Sequence, residues 1–224
     1  MDPVINIITR THNRPNFFKN CVGSIKQQTY KNIHHIVTYQ NDEDYKYISE
    51  YSPGATTVKV PPLKKDFSKS TIIYGDVKAD HAPYNTYFNI AHKHTKKGWI
   101  VYLDDDDMLV YSNSIEYLVQ NIKHHNINNI LHLWFANFIN YVVPQPEIAE
   151  KYKQGHPFMR GKCSGGGLCF HTDYIKHATW HEWALGDWDI YQKLDKVIPN
   201  RNFIEATLLG MQSIPGGGRA QDIG

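Results

Sequence analysis

Gly98-Trp99-Ile100-Val101-Tyr102-Leu103-Asp104-Asp105-Asp106-Asp107 is the stretch on which the reading of this chain turns. The apolar run is too short for a buried helix and suits a strand covered on both faces of a sheet. Four carboxylates follow without a break. At the end of a buried strand they repel one another strongly unless a cation neutralises them. The carboxyl ends of parallel strands are also where open α/β sheets bind ligands. Hard oxygen donors suit Mg2+ or Mn2+, and such an ion can bridge a diphosphate and stabilise it as a leaving group. A solvated acidic turn, or a helix start that uses the dipole, is the competing account.

Working towards the N-terminus, a helix is expected over 83–94 and a long surface connection over 61–81, with a short strand at Ile72-Ile73-Tyr74. Before these come strands over 55–60 and 33–39, a short helix over 44–51, and a helix over 16–27 with Phe17, Cys21 and Ile25 at helical spacing. The β-branched segment 4–10 reads as a buried strand, ended by Thr11-His12-Asn13-Arg14-Pro15. Strand–helix alternation predicts an α/β fold, a Rossmann-like mixed and mostly parallel sheet with helices on both faces.

Towards the C-terminus the pattern gives a helix over 113–123, an apolar stretch over 130–138 and a strand over 141–143. A Gly165-Gly166-Gly167 turn precedes a strand over 168–171, and helices are expected over 173–178 and 187–194. Residues 1–213 are expected to form one domain. Residues 214–224 are expected to be a flexible Gly-rich tail or the cut end of a longer chain.

With a net charge of +2 and dispersed Lys and Arg, nothing in the composition calls for nucleic acid. No apolar run reaches the roughly 20 residues that span a bilayer. Peripheral docking to a membrane-bound acceptor stays open. Cys21, Cys163 and Cys169 form neither an even disulfide set nor a Cys-x-x-Cys site, so a reducing, cytoplasmic compartment is expected. Thirteen histidines invite a metal reading, but His92 and His94 cannot face one ion from one helix. His34-His35 and His124-His125 diverge, and His171 is not read as a ligand.

Gly186-Asp187-Trp188-Asp189 opens a helix. Asp187 there is either a helix cap or a general base that takes a proton from a hydroxyl. Trp180, His181 and Trp183 precede it and, with Trp188, read as an acceptor or sugar platform or as ordinary packing. Gly165, Gly166 and Gly167 either let the chain approach a sugar closely or form a turn or bulge.

Taken in series, VINIITRTHNR (4–14), Ser24-Ile25-Lys26-Gln27-Gln28-Thr29-Tyr30, the Asp104–Asp107 region and Gly186-Asp187-Trp188-Asp189 resemble family-2-type glycosyltransferases with the GT-A fold. The resemblance implies a GT-A-like domain and an inverting, metal-dependent transfer from a nucleoside-diphosphate sugar. Asp187 would be the base. Asp104 and Asp106 would form the DxD pair, with Asp106 the direct ligand of Mn2+ or Mg2+ and Asp107 a helper. Arg10, Thr11, His12, Asn13 and Arg14, with Asn85 and Asp105, would line the nucleotide site. A UDP-sugar is the preferred donor, and a glycan, lipid-linked sugar or protein the acceptor.

The chain departs from the family pattern after its second strand. Tyr39-Gln40 stands where an acidic pair is common, with acids only at Asp42, Glu43 and Asp44. Gln40 can still both donate to and accept from a pyrimidine edge. His12 replaces a Tyr, and Pro83-Tyr84-Asn85 replaces Ala-Arg-Asn. A sugar nucleotidyltransferase would carry a Gly-rich loop after the first strand, and the turn at 11–15 has no glycine. A non-catalytic nucleotide- or carbohydrate-binding module of the same fold is disfavoured by the joint presence of the Asp run and Asp187.

Overall fold

The computed structural model describes residues 2–73, 78–138 and 141–212. Uninterrupted β-branched and apolar residues form β1 (Ile5–Arg10). Pro15, whose missing N–H is no loss at the first helical position, opens α1 (Pro15–Lys26). The helix buries Phe17, Phe18, Cys21, Val22 and Ile25. β2 (Ile33–Tyr39) follows. α2 (Asp42–Tyr51) then starts from a reciprocal cap, in which Asn41 accepts the Asp44 amide and the Asp44 side chain accepts the Asn41 amide. β3 (Thr56–Lys59) completes the first half.

The connection over 61–81 holds a hairpin, β4 (Ser70–Ile72) and β5 (Lys78–Asp80), in place of the single short strand expected. Tyr74, part of that expectation, lies outside the described residues. The helix expected over 83–94 divides into a 3-10 turn, Pro83–Thr86, and α3 (Tyr87–His92). The opening stretch is β6 (Trp99–Tyr102), fully buried, and the last aspartate of the run begins another strand, β7 (Asp107–Leu109). After α4 (Ser114–His125), the apolar stretch is a strand, β8 (Ile130–Phe138), paired with β9 (Tyr141–Val143).

Besides β5 and β7, two larger elements had no counterpart in the sequence reading. α5 (Pro146–Lys153) starts at a proline in a Pro-rich segment, and β11 (Asn200–Met211) has an apolar pattern broken by Arg201, Asn202 and Glu205. Between them lie a 3-10 turn, Gly165–Gly167, then β10 (Leu168–His171), the 3-10 stretch Thr172–His177 and α6 (Gly186–Asp195). The α-helix expected over 173–178 is therefore a 3-10 stretch. The tail 214–224 lies outside the described residues.

The main sheet runs β3-β2-β1-β6-β10-β8-β11-β7, with β9 beside β8. β1, β2, β3, β6, β8 and β11 point one way, and β7, β9 and β10 run against them. The sheet is thus mixed and mostly parallel, as expected. Pleating sends alternate residues to opposite faces. Ile5, Ile7, Trp99, Val101 and Leu103 pack with Cys21 and Ile25 of α1 and Ile115, Leu118 and Ile122 of α4. Ile8, Ile36, Ile100 and Tyr102 pack on the other face with Phe88 of α3, Tyr152 of α5 and Ile190 and Leu194 of α6. Among the described residues no helix is long and apolar enough to cross a membrane.

Candidate functional site

β1 and β6 are parallel neighbours with Ile8 opposite Tyr102, so the segments that follow them share one edge of the sheet. Arg10 grips Asp104 through Nε–Oδ1 and Nη2–Oδ2, both 2.7 Å, and its Nη1 donates to Asn85 Oδ1 at 2.7 Å. The guanidinium carbon also sits 4.7 Å from the Phe88 ring centroid. Burial is the largest influence and works against its charge, but Asp104, Asp187 and Asp106 together outweigh it and raise the Arg10 pKa. Arg14 Nη1 lies 2.8 Å from Asp105 Oδ1 and 3.0 Å from Asp106 Oδ2. Part of the repulsion within the Asp run is therefore answered by two guanidinium groups of the chain itself.

The run folds into a tight turn closed by the Asp107 amide on the Asp104 carbonyl, 2.9 Å. Asp105 is buried, which pushes its pKa up to about 7; Asp106 and Asp104 add to the shift and Arg14 opposes it. Burial, then Asp106 and Asp104, hold the Asp107 carboxyl well above the usual range. Asp104, Asp106 and Asp107 each offer an oxygen, all within 4.8 Å of one another. Among the described residues, ion pairs reach Asp104, Asp105 and Asp106, and none reaches Asp107. A buried acid without a cation, inside a cluster of hard oxygen donors, fits Mg2+ or Mn2+.

Gln212, at the end of β11, fastens this turn from behind. Its amide donates to the Asp106 carbonyl at 2.6 Å, and its side-chain Nε2 lies 3.2 Å from each of the Phe17, Asp105 and Asp107 carbonyls. No motif in the sequence marked it.

The turn after β1 is organised by Asp44, which is fully buried. Its carboxylate accepts the amides of Asn13, Gln40 and Asn41 at 2.9, 3.2 and 3.3 Å, and lies 3.0 Å from His12 Nδ1. Asn13 takes the left-handed conformation, φ 54°, which Asn tolerates better than most residues. A cavity of about 170 Å3 opens above, lined by Arg10, Thr11, His12, Arg14, Gln40, Tyr84, Tyr87, Asp104, Asp105 and Asp106. It gathers most of the residues assigned to a nucleotide site from sequence. Asn13 is not among the lining. Asn85 acts from behind, bonded to Arg10 and donating to the Trp183 carbonyl at 2.9 Å. Tyr84, Tyr87 and Asp44 were missed; the Asn41-x-x-Asp44 cap was the one signal that could have found Asp44.

Asp187 sits in the first turn of α6, whose N-cap, Leu185, has φ 73°. A leucine held left-handed beside a candidate base is stored strain of the kind that clusters at functional sites. A Cβ on Gly165 would lie 3.0 Å from Asp187 Oδ1, so the glycine makes room for the carboxylate. Gly166 and Gly167 instead pack against Leu209 and Tyr191. Trp180 is 2% exposed and lies edge-on to Tyr102, which makes it core rather than a surface platform. Trp188 is half-buried and donates to the Phe158 carbonyl at 2.8 Å. His181 and Trp183 are half-buried; the Trp183 amide lies 3.2 Å from His181 Nδ1.

No family model matches the chain, and no curated protein matches it either. Solved structures do. S. aureus TarS 1-349 in complex with UDP-GlcNAc is 12% identical with a TM-score of 0.69, covering 96% of this chain and 60% of that one. S. aureus TarS is 13% identical with a TM-score of 0.67, covering 95% of this chain and 37% of that one. The mannosyltransferase PcManGT from Pyrobaculum calidifontis, in complex with GDP-Man and Mn2+, is 11% identical with a TM-score of 0.62, covering 97% of this chain and 59% of that one. The chain has a GT-A-like glycosyltransferase fold, and it spans less than two thirds of the length of these structures.

Proposed function

We propose that the chain is a metal-dependent glycosyltransferase that moves a sugar from a nucleoside diphosphate, with a UDP-sugar preferred, to an acceptor hydroxyl with inversion. The observation that carries the reading is the meeting of Arg10 and Arg14 with Asp104, Asp106 and Asp107 at the carboxyl ends of β1 and β6. It stands in a fold whose solved examples include complexes with UDP-GlcNAc, UDP, and GDP-Man with Mn2+.

In this reading Asp106 is the direct metal ligand, with Asp104 and Asp107 beside it. A bound Mn2+ or Mg2+ supplies positive charge to the diphosphate as it leaves. Arg10 and Arg14 exchange part of their carboxylate pairing for phosphate oxygens, which match the planar guanidinium equally well. Gln40 reads the base edge, Thr11 and His12 frame it, and Asn13 shapes the turn that carries them. Asp187 takes the acceptor proton, and the hydroxyl attacks the anomeric carbon on the face opposite the diphosphate. His181 and Trp183 lie on the acceptor side, a glycan, lipid-linked sugar or protein being the acceptor. Residues 1–213 make up the transferase unit, with a cytoplasmic setting for its reduced cysteines.

Calorimetry with UDP, GDP, dTDP and CDP, each with and without Mn2+, tests the proposal. Tight binding of one diphosphate that collapses without metal is the expected result and fixes the base. Metal-independent binding, or none, would leave the Asp run a structural turn held by Arg10 and Arg14 and remove the chemical support for transfer.

A further inference from the structure

Residues 61–73 and 78–82 leave the main sheet and form a projection that the transfer chemistry does not use. A turn closed by the Lys69 amide on the Asp66 carbonyl carries Phe67, which is 86% exposed, with Lys65 Nζ 5.0 Å from its ring centroid. In the hairpin beyond, Ile72 pairs with Lys78 and Ser70 with Asp80, while the intervening Thr71–Ala79 pair turns inward, Ala79 being buried. Ile72 therefore stands on the outer face, 63% exposed, next to Lys78. Lys64, Lys65, Lys69 and Lys78 are all exposed; against them stand Asp66, engaged by the Ser68 amide and hydroxyl, and exposed Asp80, so the described part of the projection is net positive.

The projection is fixed to the body. Tyr87 Oη donates to the Pro61 carbonyl and accepts the Leu63 amide, and His81 Nδ1 accepts the Asp66 amide. The Ala82 amide donates to Glu182 and the Ala184 amide to Asp80, tying the hairpin to the segment that leads into Asp187.

We infer that this projection docks the protein on an anionic membrane surface. Phe67 and Ile72 enter the headgroup layer while the four lysines pair with lipid phosphates. Large exposed apolar side chains next to lysines that outnumber the acids are the composition that partitions into an anionic interface. A protein-binding face would instead be depleted of lysine at its centre. Taken with the proposed transfer reaction, docking at this point would bring the segment that leads into Asp187 near the membrane and a lipid-linked acceptor; the docking itself does not depend on that reading.

The test is co-sedimentation of the full chain with vesicles of phosphatidylcholine alone or mixed with phosphatidylglycerol. Binding is expected to the mixed vesicles, weakening as salt is raised. The double variant Phe67→Ser/Ile72→Ser should lose roughly tenfold or more in partitioning. Lys64→Glu/Lys65→Glu/Lys69→Glu should remove the preference for the anionic lipid. An unchanged melting temperature and unchanged nucleotide binding in these surface variants would show that fold and cleft are intact. Equal binding to both vesicle types, no binding, or variants that bind like the parent would overturn the inference. So would a dimer in sedimentation that Phe67→Ser dissolves, because the surface would then serve self-association. Vesicle binding by a chain that binds no nucleotide would leave the docking surface standing and remove the transferase reading.

Discussion

Arg10 and Asp104 meet fork to fork, two parallel hydrogen bonds of 2.7 Å joining the end of β1 to the end of β6. A lysine supplies one charge but not the fork, and methionine leaves Asp104 without its cation. Arg10→Lys should cost about 1 kcal/mol and Arg10→Met about 2 kcal/mol, the pair being only partly buried. Urea unfolding measures both. Adding Asp104→Asn to Arg10→Met should recover part of the loss, and failure to do so would show that the pair is not energetically coupled.

Asp105 and Asp106 are adjacent but differently placed. Asp105 is buried against Arg14, whereas Asp106 belongs to the cluster that also contains Asp104 and Asp107. Asp106→Ala should lower Mn2+-dependent nucleotide binding by about 100-fold or more, while Asp105→Asn keeps its metal dependence. Titration of each variant with and without Mn2+ separates them; equal losses in both would assign the ion to the wrong carboxylate.

Asp187→Asn should lower transfer by a factor on the order of 100 to 10,000 and leave donor affinity unchanged. Gly165→Ala approaches the same carboxylate from outside, since its Cβ would lie 3.0 Å from Oδ1. A kcat roughly tenfold lower with KM for the donor unchanged is expected from the displaced base. A rise in KM alone would place Gly165 on the sugar rather than on Asp187.

Gln212→Ala removes a side-chain donor shared by the Phe17, Asp105 and Asp107 carbonyls. Metal affinity should fall by roughly 10- to 100-fold, as for other groups that orient ligands without touching the ion. Competition against a fluorescent chelator would read this directly.

Burial, and to a smaller degree neighbouring His34 and His125, pushes His35 and His132 each down to about 3. In the unfolded chain both titrate near 6.5, so below that pH the unfolded state binds more protons. Their stabilising effect is complete above about pH 6.5 and is lost as pH falls towards 3, at about 1.4 kcal/mol per pH unit for each. Thermal melts between pH 7 and 5 should show the decline. His132→Leu should make it shallower, and an unaltered slope would exclude that histidine.

Sequence pattern was sufficient where a segment is buried on both faces. The apolar runs of β1, β2 and β6 and the helical spacing in α1 leave little choice, and the fold class follows from their alternation. It failed where tertiary contacts supply what the local pattern lacks. β11 alternates poorly because one of its neighbours, β7, covers only its last residues. The 3-10 stretch Thr172–His177 buries no residue, so little packing favours a wider helix there. The cleft was legible as two motifs, at 10–14 and 104–107, because each is contiguous. Gln212, and Asp44 in its bond to the Asn13 amide, act on backbone groups far away in sequence, and such bonds leave no residue pattern to read; only the local Asn41-x-x-Asp44 cap was visible.

Gln212 is one of the residues that close the acidic turn. Gln212 reaches Phe17 across a sequence separation of 195 residues, and Asp105 across 107. Loops that long are closed late, because their entropy cost falls due before any contact rewards it. The acidic turn therefore gains this support only after β11 has found its place beside β8. On a growing chain, the acidic turn gets its backing from Gln212 late in folding, so any ion it holds would be bound in its final geometry only then.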